Sequence, residues 1–240
     1  MLENLLDYER SLFFMLNGSN SAFLDRIMYV YSGKVLWIPV AVLIIIVLFY
    51  KKGWKECLFI AIAIALVITL CDQFASGVCK PLFTRFRPTH HPEFKDCVDI
   101  VFGKRGGRYG FISSHAANAF GFATFMVLLF KNALFSWVIY FWATVTAYSR
   151  IYLGVHFISD IVPGILAGLL IGYGVYLFYK WGRQRVIGNT TNAPDGEMVV
   201  SAPPEYTKLQ KQIIVYGILA TILVLVIFNV PLADFARGGK

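Results

Sequence analysis

Charge is scarce in this chain. Asp, Glu, Lys and Arg make up 15% of its 240 residues, and 14 of these are acidic; an ordinary soluble domain is about a quarter charged. With 58% of the residues hydrophobic, too few charges remain to cover a soluble globule, and the chain belongs in a bilayer. Cysteine is sparse too. The four cysteines fall at no zinc-ligating spacing, which excludes a structural zinc site. Cys57 and Cys71 sit inside apolar runs as small hydrophobes, whereas Cys79 and Cys97 flank one polar stretch. They could pair if that stretch faces an oxidising compartment, or stay free. There is no sequence repeat, and no carboxylate cluster that suggests a metal. The amino end carries Glu3 and Asp7 rather than a basic stretch ahead of an apolar core, so no cleavable signal is expected. The net charge of +8 could suggest nucleic acid, but no basic, aromatic-interleaved surface lies free of the apolar runs. Many basic residues instead crowd Lys80 to Arg108, which points to a small anionic group.

What is present is a series of apolar runs. Residues 1–32 form an amphipathic lead-in, broken by the turn residues Asn17 to Asn20, that lies on a membrane surface or packs at the rim of a bundle. Spans follow at about Lys34–Tyr50, Trp54–Val78, Ser114–Phe130, Leu134–Tyr148, Phe157–Tyr179 and Gln212–Leu232, each near the ~20 residues a crossing needs. The expectation is an all-α polytopic membrane protein with six transmembrane helices, forming one domain over 1–240. Within it, 33–180 is a five-span core, 181–211 a flexible cytoplasmic linker rich in Asn, Thr, Pro and Gly, and 212–240 the sixth span and tail. Gly164, Gly168 and Gly172 lie on one helix face and read first as close packing within the chain, second as a dimer face.

Three polar blocks fall on one side of this arrangement. In SRIYLGVHFISD, Ser149 to Asp160, a helix starting near Gly154 would stack His156 and Asp160 one turn apart. The carboxylate would then hold one imidazole nitrogen and leave the other free as nucleophile or base. Alone, the pair also reads as a helix cap. In KPLFTRFRP, Lys80 to Pro88, the point charge of Lys80 and the planar fork of Arg87 suit tetrahedral phosphate oxygens. They read equally as interfacial anchors. In FISSHAAN, Phe111 to Asn118, Ser113 or Ser114 can cap a helix whose free amides attract an anion, with His115 in its first turn.

Together these blocks resemble the signature of the type 2 phosphatidic acid phosphatase and haloperoxidase-related superfamily, in its membrane-bound branch. That pattern is Lys, six residues, Arg-Pro; then Pro-Ser-Gly-His; then Ser-Arg, five residues, His, three residues, Asp. The first and third blocks match fully. In the second, Ile112 replaces the usual Pro and Ser114 the usual Gly, while Ser113 and His115 are kept. The resemblance covers about Trp54 to Tyr179.

The resemblance implies a metal-independent phosphatase without cofactor. His156 would be the nucleophile, Asp160 its orienting carboxylate and His115 the general acid and base. Lys80, Arg87, Ser113, Ser114 and Arg150 would hold the phosphate. It offers undecaprenyl diphosphate, lipid A phosphates, phosphatidylglycerol phosphate and phosphatidic acid as substrates, taken sideways from the bilayer. A lipid-phosphate carrier that binds without cleaving is the alternative, and it leaves His115, His156 and Asp160 without purpose. The lysines and arginines of the short opposite loops put those loops in the cytoplasm. The site then faces the periplasmic or extracellular side of a bacterial inner membrane. Oligomeric state stays open, as do Arg85 and the loop residues His90, His91, Lys95, Lys104, Arg105 and Arg108, which no motif supports and which read as a solvated loop.

Overall fold

Gly18, at φ +64°, breaks the amino-terminal amphipathic stretch into two helices, α1 (Leu2–Leu16) and α2 (Ala22–Tyr31). Ser21 caps α2 by accepting from the Leu24 amide. The computed structural model describes residues 2–19, 21–187, 191–192, 198–199 and 205–238. After α2 the chain turns through Val35–Trp37 into α3 (Ile38–Phe49), and the two limbs are bent by 66°. A long apolar rod follows. It comprises α4 (Trp54–Asp72), a π-helical segment at Gln73–Cys79 and the one-turn α5 (Lys80–Phe83). Beyond a long loop come α6 (Ser114–Phe130), α7 (Ala133–Tyr152), α8 (Ile158–Val186), α9 (Lys208–Ile227) and α10 (Asn229–Ala236). Among the described residues, β structure is limited to the Thr191–Asn192/Met198–Val199 ladder and one bridge between Phe86 and Tyr109.

This is an all-helical membrane fold. By length and composition three of its helices can cross a bilayer, Trp54–Phe83, α8 and α9, and the count is four when the bent α2–α3 pair is taken as one span. The two remaining expected spans are weaker for identifiable reasons. At 17 residues α6 is short, and α7 carries Ser136, Thr144, Thr146, Ser149 and Arg150.

The short helix sits at the centre, packed on α4, α7 and α8. Its Ala116, Ala117, Ala119, Gly121 and Ala123 are buried, and the glycine stripe of α8 lies directly on it. A Cβ added at Gly168 would stand 2.4 Å from the Ala117 carbonyl oxygen, and one at Gly172 2.4 Å from that of Gly121. The stripe therefore serves packing within the chain, which lets two backbones touch where side chains would hold them apart.

Several boundaries differ from the sequence reading. The α8 helix continues past Tyr179 to Val186 because its Arg183 is neutralised by Glu56 of α4, Nε to Oε2 2.8 Å, with both side chains buried. Part of the expected linker, residues 188–190, 193–197 and 200–204, lies outside the described residues. The last span begins at Lys208, where Thr207 and Gln210 cap each other, and stops at Ile227. Asn229 then takes the Val226 carbonyl and the Arg26 guanidinium, at 2.9 and 2.8 Å, and starts the separate α10. Cys79 and Cys97 are free thiols, the first buried and the second exposed, so the possible disulfide is absent.

The bundle has two polar ends. One gathers α1, α10, the loop from Thr84 to Ser113 and the α7–α8 turn. The other gathers Lys52, Glu56, Tyr179, Arg183 and Tyr206.

Candidate active site

The turn between α7 and α8 is built by its own sequence. Gly154 takes φ +70°, a conformation open to glycine, and the chain reverses with the Val155 amide on the Arg150 carbonyl at 3.0 Å. Because α8 starts only at Ile158, His156 precedes the helix and does not stack on Asp160 along one of its faces, as the expected start near Gly154 would require. The two meet across the helix start, with His156 Nδ1 3.3 Å from Asp160 Oδ2. That same Oδ2 accepts from the Phe157 amide at 3.0 Å. Asp160 is at once the helix cap and the hydrogen-bond partner of the imidazole.

Both residues are fully enclosed, His156 at 1% and Asp160 at 0% exposure. Arg87 Nη1 donates to His156 Nε2 at 3.2 Å. A donor on Nε2 makes that nitrogen the acceptor, which places the proton on Nδ1, facing the carboxylate. Burial pushes the imidazole well below its usual range, and the nearby cations of Arg87, Arg150, Lys80 and Arg85 push the same way. The result is a neutral imidazole whose free lone pair points at a guanidinium.

The other expected anion-binding residues stand around it. Arg87 is locked by Nε on the Tyr109 carbonyl at 3.0 Å and Nη1 on that of Val155 at 3.2 Å. Lys80 Nζ reaches Ser76 Oγ at 2.7 Å and Ser114 Oγ at 3.4 Å, which ties the end of the π segment to the start of α6. Arg150 is buried, with Nη1 on Ser32 Oγ and Nε lacking a partner among the described residues. Ser113 caps α6 through the Ala116 amide at 3.4 Å, and its own amide donates to the Asp160 carbonyl at 3.0 Å. His115 and Ser114 line a cavity between α2, α3, α4 and α6. Three cations, a helix start and an uncharged imidazole make surroundings suited to a tetrahedral anion. Among the described residues, no three His, Cys, Asp or Glu side chains group as metal ligands do.

Sequence reasoning left Arg85 open and missed Glu9, Ser159 and Gly110. Arg85 Nη1 donates to Asp160 Oδ1 at 2.7 Å and to Ser159 Oγ at 2.5 Å, while Nη2 meets Glu9 Oε2 of α1 at 2.8 Å. Glu9 Oε1 in turn accepts from the Ser159 amide at 3.0 Å and from its hydroxyl. Arg85 sits two residues before Arg87, but no spacing marks Glu9, which stands among Asp7, Tyr8, Arg10 and Ser11. Gly110 is the fourth. A Cβ there would lie 2.9 Å from Asp160 Oδ2 and 3.5 Å from His156 Nδ1, so only a bare backbone fits against the pair.

The loop that carries these residues is packed as well as solvated. The Phe86–Tyr109 bridge is closed by the Arg87 amide on Arg108 and the Gly110 amide on Arg85, at 3.1 and 2.9 Å. His91 stacks on Phe94, and Arg108 covers Phe86 and Tyr109. Lys104 lies over Tyr29, while Arg105 donates to the Thr89 carbonyl at 3.3 Å.

Comparison with known proteins supplies a second line of evidence. The family model described as the PAP2 superfamily matches residues 54–184. A lipid A 4'-phosphatase of Porphyromonas gingivalis is 46% identical over 187 residues, covering 78% of this chain and 79% of the relative. One from Bacteroides thetaiotaomicron is 42% identical over 181 residues, covering 75% and 79%. Among solved structures, a transmembrane PAP2 type phosphatidylglycerolphosphate phosphatase from Bacillus subtilis shares the fold. It superposes with a TM-score of 0.56 at 20% identity over 74% of this chain and 87% of that one.

Proposed function

The chain belongs to the PAP2 superfamily, and from that premise we propose that it is a lipid phosphatase working through a phosphohistidine on His156. The observation that carries this reading is the neutral, buried imidazole held between Asp160 and Arg87. In the reaction, His156 Nε2 attacks phosphorus as the bond to the lipid oxygen breaks. Asp160 stabilises the imidazolium that forms. Lys80, Arg87, Arg150, Ser113 and the Ser114 amide hold the equatorial oxygens, where charge sits in the transition state. His115 protonates the departing oxygen, then takes a proton from the water that releases phosphate. The three cations supply the charge neutralisation, so the mechanism needs no metal.

We place the protein as a single membrane domain with six crossings, α6 and α7 completing the set. At a rise of about 1.5 Å per residue, even α6 spans about 25 Å inside its ring of neighbours. An even number of crossings agrees with the shared polar end of α1 and α10. Positive-inside bias then puts Lys52, Arg183 and their neighbours in the cytoplasm, and the site on the periplasmic face of a bacterial inner membrane. The relatives named as lipid A 4'-phosphatases favour a lipid A phosphate among the possible substrates.

The test is phosphate release from a panel of lipid phosphates and diphosphates by purified protein in detergent with a chelator present, beside His156→Ala. Release that the mutation lowers by several orders of magnitude is the expected result. Equal release by His156→Ala would overturn the nucleophile, and loss of wild-type release with the chelator would overturn the metal-free mechanism.

A further inference from the structure

Of the three cations placed on the phosphate, Lys80 and Arg87 are held by residues inside the stretch that the family model matches, 54–184, and Arg150 is held from outside it. Its Nη1 donates to the hydroxyl of Ser32, the residue that ends α2. Both residues are buried, at 4% and 9% exposure. Arg150 makes no other hydrogen bond among the described residues, and its Nε is buried without an acceptor. The fork with which a guanidinium grips two oxygens side-on is Nε with Nη2, and Nη1 stands on its far side. An acceptor on Nη1 therefore fixes the group while leaving that fork uncommitted. The charge of the same arginine reaches His156.

Ending α2 does not require the hydroxyl. The cap is made by the Ser32 amide on the Met28 carbonyl at 3.1 Å, and any residue but proline offers that amide. The hydroxyl is spent on Arg150 alone among the described residues. The corner that presents it is firmly placed. Tyr31 donates to the Trp142 carbonyl of α7 at 3.1 Å. Trp37, whose indole N–H donates to the Tyr31 carbonyl at 2.8 Å, meets the rings of Tyr31 and Trp142 edge to face. Trp142 lies about 12 Å along α7 from Arg150, so the corner is fastened to that helix at two levels. Ser32 also lines, with Lys34, Ser114 and His115, the cavity of about 360 Å³ beside α6, which puts the contact at the wall of the site.

We propose that Ser32 is a positioning residue of the phosphate site: its hydroxyl pins Nη1 and so turns the Nε–Nη2 edge of Arg150 toward the phosphate oxygens. The proposal rests on the phosphatase reading and extends its site to a helix outside the three sequence blocks. An arginine stem has many rotamers, and a guanidinium fixed in one of them before substrate arrives spares the reaction that reorganisation. Ser32 acts through Arg150 and takes no part in bond making or breaking.

The experiment compares Ser32→Thr with Ser32→Val, two β-branched variants of nearly equal shape that differ in the hydroxyl, beside wild type in detergent. The substrate is the lipid phosphate that wild type hydrolyses fastest, and inorganic orthophosphate serves as inhibitor. The valine variant should fall below the threonine variant by roughly 10- to 100-fold in kcat/KM and should bind orthophosphate at least about threefold more weakly. A fold defect would lower only the fraction of active enzyme and leave the orthophosphate inhibition constant unchanged. In an Arg150→Ala background the two variants should differ by less than about threefold. Equal kcat/KM and equal inhibition in the two, or their full difference persisting without Arg150, would overturn the proposal. If neither variant folds, Ser32→Ala is judged against wild type by the same criteria. Release from no lipid by wild type would overturn the phosphatase reading; Ser32 would then be judged by direct orthophosphate binding, where equal affinity of the threonine and valine variants would overturn it.

Discussion

Replacing Arg85 by Ala tests whether the contact between α1 and the α7–α8 turn serves the chemistry. The guanidinium joins Asp160 Oδ1 at 2.7 Å to Glu9 Oε2 at 2.8 Å; its side chain is 28% exposed, that of Asp160 0%. Removing one partner of a fully buried pair costs about 3–5 kcal/mol. Here the gap lies near solvent, and Asp160 keeps the Phe157 amide, so we expect about 2–3 kcal/mol. At 1.36 kcal/mol per decade that is a fall of roughly 30- to 150-fold in kcat if the loss falls on the orientation of His156. KM should move little, because Arg85 is not among the groups placed on the phosphate. The assay is steady-state phosphate release in detergent with thermal midpoints measured alongside, repeated in an Asp160→Asn background. Acting through Asp160, Arg85→Ala should add little once that carboxylate is gone. A kcat within about threefold of wild type, or the full loss persisting in Asp160→Asn, would refute the reasoning.

Gly110→Ala puts a Cβ 2.9 Å from Asp160 Oδ2. It should lower kcat by roughly 5- to 150-fold if the roughly 1–3 kcal/mol of overpacking falls on the His156–Asp160 pair, and a kcat equal to that of wild type would refute the close fit. Gly168→Val meets the Ala117 carbonyl oxygen at 2.4 Å and should instead lower the thermal midpoint; an unchanged midpoint would refute the α6–α8 packing argument. The pH dependence follows from His156, whose folded-state pKa lies well below 6.5. The unfolded chain takes up a proton near 6.5 and the folded chain does not. This group therefore withdraws stability as pH falls below about 6.5 and has no such effect above it. The thermal midpoint of His156→Gln should fall less between pH 7 and pH 5 than that of wild type, and parallel falls would refute this. Wild-type kcat/KM should likewise show no acid limb at 6.5 from this residue.

The apolar runs marked the helices well, because bilayer burial demands long uninterrupted segments. Their ends were harder to place. The fifth span was expected to end at about Tyr179, yet Glu56, more than a hundred residues away from Arg183, neutralises it and the helix continues to Val186. The three blocks named Lys80, Arg87, Ser113, His115, Arg150, His156 and Asp160, and the fold brings them to one end of the bundle. How His156 and Asp160 meet was misread, since nothing local shows that the turn runs on to Phe157 before the helix begins. Glu9, Arg85 and Gly110 were opaque because each acts through a long-range contact that no spacing encodes.

The π-helical segment Gln73–Cys79 bears on how this site tolerates change. Its wider hydrogen-bonded turns advance each residue through a smaller angle than an α-helix does. Seven such residues therefore reset the angular phase between the membrane-embedded rod and Lys80. Winding the same seven residues as an ordinary α-helix would turn Lys80 further round the axis and swing its ammonium away from Ser114, with no polar residue altered. The segment is thus a clocking element, setting the direction in which a rigid helix delivers its charge.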